Sequence, residues 1–441
     1  VSDAEFQQLK DMLNQALERI DELEARDREV ATTQQAEIEV EAEVAATTTE
    51  QVAANTAKLE KISWAERIRL QGDFRYRYQP EEANRNGIKT TLNTQRIRAR
   101  AALIVELPSN VEIGFGLATG GDDPVSANQT LGGASSSKDV QLDLAYFDWE
   151  FYEGATIAGG KFKNDFYRPG KNGLMWDSDW RPEGFDLNYT SKLFYVNALG
   201  SWLESDSKKN GSNFSYGMQA GFTPKLGDTK LNIGAGYWKI KARGEECYDA
   251  PSNTGGNGEN RGCFGNTAVD SNGSLVAGGT EGPPADTAFL IMDYAPVELF
   301  TQLDFNTRLP LGLFVDYVQN IDAKSVPSGP SQGRKLDTAY AVGGTLGKGK
   351  KAGEWQIKVL YQDKDADSVL GLLTDSDFSG GGTDSKGYVY TAKYMMSNRA
   401  YFTATYFDAE RKDSNGVETS GPGSNPYDVE TLQLDLGFKF K

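Results

Sequence analysis

The stretch RIRLQGDFRYRYQ, residues 67–79, constrains the fold more than any other part of the chain. Ile68, Leu70, Phe74, Tyr76 and Tyr78 sit at every second position, with Gly72 among them, while Arg67, Arg69, Gln71, Asp73, Arg75 and Arg77 fill the gaps. Successive side chains of a strand point to opposite faces, so this segment has one apolar face and one face carrying four arginines. No protein core packs such a row of guanidinium groups without partners. The apolar face therefore needs an oily neighbour and the charged face needs water or counter-charges.

The two-residue alternation recurs along the chain. In residues 95–107, Gln95, Ile97, Ala99, Ala101, Leu103, Val105 and Leu107 share one face, and Arg96, Arg98 and Arg100 lie on the other. Later runs include Phe214, Tyr216, Met218, Ala220 and Phe222; Leu231, Ile233, Ala235 and Tyr237; Trp355, Ile357, Val359 and Tyr361; and Leu432, Leu434, Leu436, Phe438 and Phe440. About sixteen such runs of about ten residues are joined by connections that alternate between short and long. The short joints fall near residues 108–110, 153–154, 190–192, 224–228, 308–311, 348–353 and 397–399. The long ones run near 80–93, 121–138, 165–183, 204–212, 243–287, 322–335, 364–386 and 410–427. Strict alternation and an even count predict an all-β transmembrane barrel of about 16 antiparallel strands in up-and-down order, with both chain ends on one side. Leu142 and Leu144 keep one phase and Phe147, Trp149 and Phe151 the other, which predicts a bulge near Ala145. A barrel of this size leaves a water-filled lumen, and there the arginines belong.

The N-terminal segment is different in kind. Phe6, Leu9, Leu13, Ala16, Ile20 and Leu23 alternate three and four residues apart among charged neighbours, and the pattern returns at a shifted phase with Ile38, Ala45, Val52, Leu59 and Ile62. That is the seam of an α-helical coiled coil with a stutter, and it requires self-association. The expected division is a coiled-coil segment, residues 1–63, and a barrel, residues 64–441.

Composition removes several functions. No apolar run reaches the roughly 20 residues of a membrane-spanning helix, and mean hydropathy is -0.54. The net charge of -17 argues against nucleic acid as a partner. The chain has no histidine, which takes away the commonest general base and metal ligand, so no enzyme activity is expected. No signal peptide precedes Val1, and the two cysteines suit an exported protein, so the sequence reads as already processed. Cys247 and Cys263 lie in the longest loop, where oxidising conditions favour a structural disulfide. The run DKDADS offers Asp363, Asp365 and Asp367 as a weak calcium candidate in an external loop, without the Gly and Glu that an EF-hand needs; no other cofactor or metal is expected.

The layout resembles the trimeric general porins of Gram-negative outer membranes, and WDSDWRPEG at residues 176–184 resembles the family of putative porins. The coil is similar to the periplasmic coiled coils of some anion-selective porins. The resemblance implies a homotrimer in the outer membrane, with the coil in the periplasm, and passive diffusion of ions and small hydrophilic solutes. Lipid and lipopolysaccharide are the implied surroundings, and the coil could reach peptidoglycan. In general porins the third external loop folds into the barrel and narrows it. Here that loop is 165–183, with Asp165, Arg168, Lys171, Asp177, Asp179, Arg181 and Glu183, and Trp176 and Trp180 to anchor it. The facing basic wall would be Arg67, Arg69, Arg75, Arg77, Arg96, Arg98, Arg100, Lys161 and Lys163, with Asp177 and Asp179 opposite the arginines. An anion- or phosphate-selective channel, suggested by the arginine density, and an envelope-tethering barrel are the alternatives. The last strand departs from the family pattern, because Lys441 follows Phe440.

Overall fold

A computed structural model of the chain describes residues 3–65, 67–85, 87–121, 123–204, 213–245, 247, 263–276, 288–412, 414 and 427–441. It divides into two compact units, Val1–Arg67 and Ile68–Lys441.

The first unit is one helix, α1 (Asp3–Ala65). No Gly or Pro interrupts it, and Thr32, Thr33, Thr48 and Thr49 turn their hydroxyls back onto carbonyls one turn earlier, which removes their competition with the helix. Leu13, Ile20, Leu23 and Val52 of the expected seam stand exposed in the single chain. A helix of this length buries no stripe against itself. The side chains of Phe6, Leu9, Ile38, Leu59 and Ile62 lie outside the described residues.

Among the described residues the second unit is a closed antiparallel barrel of sixteen strands. They are β1 (Ile68–Arg85), β2 (Ile88–Leu107), β3 (Val111–Thr119), β4 (Val140–Tyr152), β5 (Ala155–Lys161), β6 (Glu183–Thr190), β7 (Phe194–Glu204) and β8 (Asn213–Phe222), then β9 (Thr229–Lys239), β10 (Pro296–Phe305), β11 (Leu311–Asn320), β12 (Thr338–Gly347), β13 (Trp355–Lys364), β14 (Ser385–Met395), β15 (Ala400–Arg411) and β16 (Tyr427–Phe440). Each pairs with its sequence neighbour, and β1 closes on β16 with Phe74 opposite Phe438 and Arg77 opposite Asp435. A separate three-stranded sheet within residues 268–290 belongs to the connection after β9.

The alternation read in the opening stretch is the alternation of the wall. Leu70 is 59% exposed on the outside and Arg77 only 3% exposed on the inside. Phe115, Phe185, Phe214, Tyr216, Leu299 and Tyr390 stand on the same outer surface. A one-residue slip would move every arginine to the lipid side, at about 2–4 kcal/mol per charge near mid-membrane, so the register is strongly fixed.

Two expectations need correction. Residues 80–93 are not an open loop: β1 and β2 continue as a paired hairpin to Arg85 opposite Ile88, with Gly87 at φ 79° just before β2. The bulge in β4 is at Asp143 rather than near Ala145, since Leu142 pairs with Leu117 and Leu144 with Gly116. The extra residue re-aims the Asp143 carboxylate, which takes an ion pair from Arg181 at 3.2 Å.

Candidate functional site

The arginines of β1 and β2 face one another across the hairpin, Arg75 opposite Arg98 and Arg77 opposite Arg96. Like charges so placed repel unless carboxylates come between them. Asp73 supplies the first, accepting from Arg98 at 3.0 Å and from Arg100 at 2.9 Å. Asp435 of β16 supplies the second, accepting from Arg77 at 2.7 and 3.0 Å in a two-pronged pair and lying 3.6 Å from Arg75. Arg75 also donates to Asn128, in the connection between β3 and β4, at 2.5 Å. Arg69, nearer the short-turn end, pairs with Glu106 and Glu112 at 3.0 and 2.8 Å.

Two long connections bring further carboxylates to this wall. The first, residues 162–182, links β5 to β6. Its Tyr167 N–H donates to Gln219 of β8 at 2.7 Å, its Tyr167 hydroxyl to Gln302 of β10 at 2.6 Å, and its Asn172 side chain to Asp316 of β11 at 2.8 Å. All three acceptors are on inward-facing positions. Gly170, at φ 55°, lies where a Cβ would collide with the ring of Phe314. The aromatic anchor is a cluster on β9: Trp176 stacks on Trp180 at 4.8 Å between centroids, and both pack edge-on to the fully buried Trp238. At its far end the segment presents Asp179, which accepts from Arg100 at 2.9 Å and from Arg98 at 3.3 Å.

The second connection, residues 365–384, links β13 to β14. It carries Asp375-Ser376-Asp377-Phe378, which repeats the Asp177-Ser178-Asp179-Trp180 of the first. In each, the first aspartate caps the N–H of the second, at 2.6 Å for Asp177 and 2.9 Å for Asp375. Asp377 accepts from Arg77 at 3.0 Å. The two segments meet backbone to backbone: Asp177 N–H donates to Leu373 O at 2.8 Å, Ser376 N–H to the Asp177 carboxylate at 3.1 Å, and Asp375 N–H to Gly173 O at 3.2 Å. A Cβ on Gly173 would come within 2.6 Å of the Asp375 side chain, so only glycine allows this approach.

The four aspartates divide electrostatically. Burial, with Asp179 and Asp375 close by, pushes the Asp177 carboxyl well above its usual range, and burial with Asp377 alongside raises Asp375. Burial acts in the same direction on Asp179, but Arg98, Arg100, Arg181 and Arg75 outweigh it and hold that group below the usual range. Arg77, Arg75 and Arg96 do the same for Asp377. Between the two turns and the arginines lies a cavity of about 150 Å³ lined by Arg75, Arg98, Arg168, Asp177, Asp179 and Asp377. A wider space of about 780 Å³, bordered by Asp143, Asp179, Trp180, Arg181 and Leu373, lies on the long-loop side.

Of the residues singled out from sequence, Arg69, Arg75, Arg77, Arg96, Arg98 and Arg100 share the inner face, and Asp179 meets two of them. Asp177 does not: it serves the contact between the two connections. Arg67 precedes β1 and is exposed. Lys161 and Glu183 pair with one another at 2.6 Å across β5 and β6 and border the wider space, with Glu183 corrected from the connection to the first residue of β6. Lys163 is exposed, Asp165 takes a bond from Asn188 at 3.3 Å, Arg168 donates to Trp176 O at 3.1 Å, and Lys171 is exposed. Sequence reasoning passed over Asp375, Asp377 and Asp435, although the repeated Asp-Ser-Asp followed by an aromatic residue was a readable signal for two of them.

Cys247 and Cys263 are joined by a disulfide. Asp363 and Asp365 both accept from the Lys412 ammonium, at 2.8 and 2.7 Å, so a cation already sits between them. Asp367 turns away to Thr267, and no group of three metal-ligating side chains occurs among the described residues.

Residues 85–440 match the family described as Putative porin. No curated protein matches the chain. Among solved structures, the barrel is similar to the high-pH structure of Pseudomonas putida OprB, at 12% identity over 85% of this chain and 94% of that one, with a TM-score of 0.51. A triple mutant of Rhodopseudomonas blastica porin gives 12% identity, 85% and 100% coverage and a TM-score of 0.45. Salmonella typhi OmpF in complex with daunomycin gives 11%, 85% and 97%, and 0.45. The first of the three carries the likeness in fold.

Proposed function

The chain belongs to the putative porin family, and on that premise we propose that its channel is narrowed where residues 162–182 and 365–384 meet the arginine wall. The protein is an outer-membrane channel for passive diffusion, not an enzyme. Ions and small hydrophilic solutes cross through the lumen, and width and wall charge select among them. The observation that carries the narrowing is Asp179: it reaches from a connection anchored on β8 to β11 to the guanidinium groups of Arg98 and Arg100 on the facing wall. Opposed fixed charges at that waist give the field that a crossing ion meets. Replacing Arg98 and Arg100 together by glutamine should shift reversal potentials in a salt gradient toward cations by several-fold in permeability ratio. Unchanged reversal potentials would place the filter elsewhere.

The working assembly is a trimer with the coil in the periplasm. Support comes from the exposed Leu13, Ile20, Leu23 and Val52 of α1, and from Phe147, Trp149 and Phe151 standing together on the outer face of β4. The first barrel strand begins and the last one ends on the short-turn side, which is the periplasmic side of such a barrel. Lipopolysaccharide at the long-loop rim and peptidoglycan at the coil are the neighbours this placement implies. Mass measurement in mild detergent should give three copies, and monomers alone would overturn the trimer.

A further inference from the structure

The lumen holds a second group of cations, and it differs from the arginines in one respect. Lys358 of β13, Lys393 of β14 and Lys439 of β16 all lie on inward-facing positions in the short-turn half of the barrel, and Lys171 approaches them from residues 162–182. Lys358 Nζ donates to Lys171 O at 3.2 Å. Lys393 and Lys439 stand 5.1 and 5.5 Å from the centre of the same ring, Tyr401 of β15. Although its side chain is open to the lumen, partial enclosure by the wall and the like charges of Lys439, Arg168 and Lys350 pull the Lys171 ammonium below its usual range. None of Lys171, Lys358, Lys393 and Lys439 has an ion pair with a carboxylate among the described residues.

The carboxylates that could neutralise them are engaged elsewhere. Asp73 is opposite Lys439 in register but gives its oxygens to Arg98 and Arg100. Asp435 serves Arg77, Asp375 caps its own turn, and Glu354 accepts from the N–H groups of Lys350 and Lys351. Hydroxyl groups lie between the lysines instead: Thr391 is the register partner of Lys358, and Thr403 that of Lys393. Uncompensated ammonium groups beside hydroxyl donors, enclosed by a low-dielectric wall, concentrate anions. The arginines that dominate the sequence are already neutralised.

We propose that Lys171, Lys358, Lys393 and Lys439, with Thr391 and Thr403, form a binding station for a multiply charged oxyanion of phosphate size on the short-turn side of the waist. The inference rests on the diffusion-channel reading. It places the holding of a bound anion on the unpaired lysines, apart from the paired arginines whose balance with Asp179 and Asp73 sets the field at the waist. A bound anion would slow chloride through the same lumen, so occupancy is readable as block.

The test uses the full-length protein in planar bilayers, with inorganic phosphate added at constant ionic strength to one side at a time. Chloride current should fall along a saturating curve, with a lower midpoint from the short-turn side. Lys393→Gln with Lys439→Gln should raise that midpoint about tenfold, and the two Lys→Arg replacements should restore it. Should the double variant not assemble, Lys358→Gln alone should raise the midpoint by a smaller factor. A block that does not saturate, or a midpoint unmoved by the glutamine variants in a conducting channel, would overturn the station alone. If the wild-type protein conducts nothing, the channel reading falls and the station with it.

Discussion

Residues 162–182 and 365–384 make the same Asp-Ser-Asp turn, yet the barrel uses the two turns unequally. Asp179 is shared by two guanidinium groups, Arg98 and Arg100, whose other carboxylate is the single Asp73. Asp377 meets Arg77, which already holds Asp435 in a two-pronged pair. The anchoring differs too. The first connection stacks tryptophans on Trp238 and crosses the inner wall by side-chain amides, whereas the second is tied through Thr383 and Gly381 to Arg411 of β15. Local sequence fixes the shape of the turn, and the wall it meets fixes what the turn's charge is worth.

Replacing Asp179 by asparagine should give the largest effect, because it leaves two arginines with one counter-charge. A full charge at about 4 Å is worth about 4 kcal/mol at an effective dielectric of about 20, and salt in the lumen screens part of that. The anion-to-cation permeability ratio, taken from reversal potentials, should rise about tenfold. Asp377→Asn should raise the same ratio by a smaller factor, since Asp435 still neutralises Arg77. Equal shifts in the two variants would erase the distinction between the turns.

The smallest change in selectivity belongs to Asp177→Asn, and its readout is pH. Burial raises the Asp177 carboxyl above its usual value, so the undocked segment ionises first as pH climbs from about 4, and docking weakens until the raised value is passed. Asp179 runs the other way. Its depressed carboxyl supports docking at all pH values above the usual carboxylate range and loses that support only as pH falls through the lowered value. Hydrogen exchange of residues 162–182, corrected for intrinsic rates, should show weaker protection at pH 8 than at pH 5 in the wild type and little difference in Asp177→Asn. A wild-type segment equally protected at both values would remove Asp177 from the contact.

The barrel was legible because its signal is periodic and long. Phe214 to Phe222 and Leu432 to Phe440 alternate without a break, and lipid enforces that pattern along the whole strand. It became illegible where lipid stops. Glu81, Glu82, Thr90 and Thr91 carry no apolar face, so nothing in the sequence reveals that β1 and β2 stay paired past them. The site was half legible for a related reason. Arg96, Arg98 and Arg100 are dense enough to see, and Asp179 stands in a tryptophan-flanked motif. Lys358, Lys393 and Lys439 are single residues in three separate strands, and only closure of the sheet brings them together. Neighbouring residues of a turn also look alike in sequence, which is why Asp177 and Asp179 could not be told apart before their partners were known.

The closure of β1 on β16 has a consequence for assembly. Arg77 and Asp435 are separated by 358 positions, so their pair carries the chain-closure entropy of the whole barrel and is slow to form relative to the local hairpins. Until then the free edge of β1 holds guanidinium groups without their partner carboxylate, in a membrane that penalises both bare charge and open strand edges. The final strand therefore arrives at a template whose charges are complementary to its own at one register. Zippering of the last seam is directed by electrostatic proofreading as much as by hydrogen bonds, and a strand inserted two residues out of step would find Arg77 beside Gln433 or Gly437 instead of Asp435.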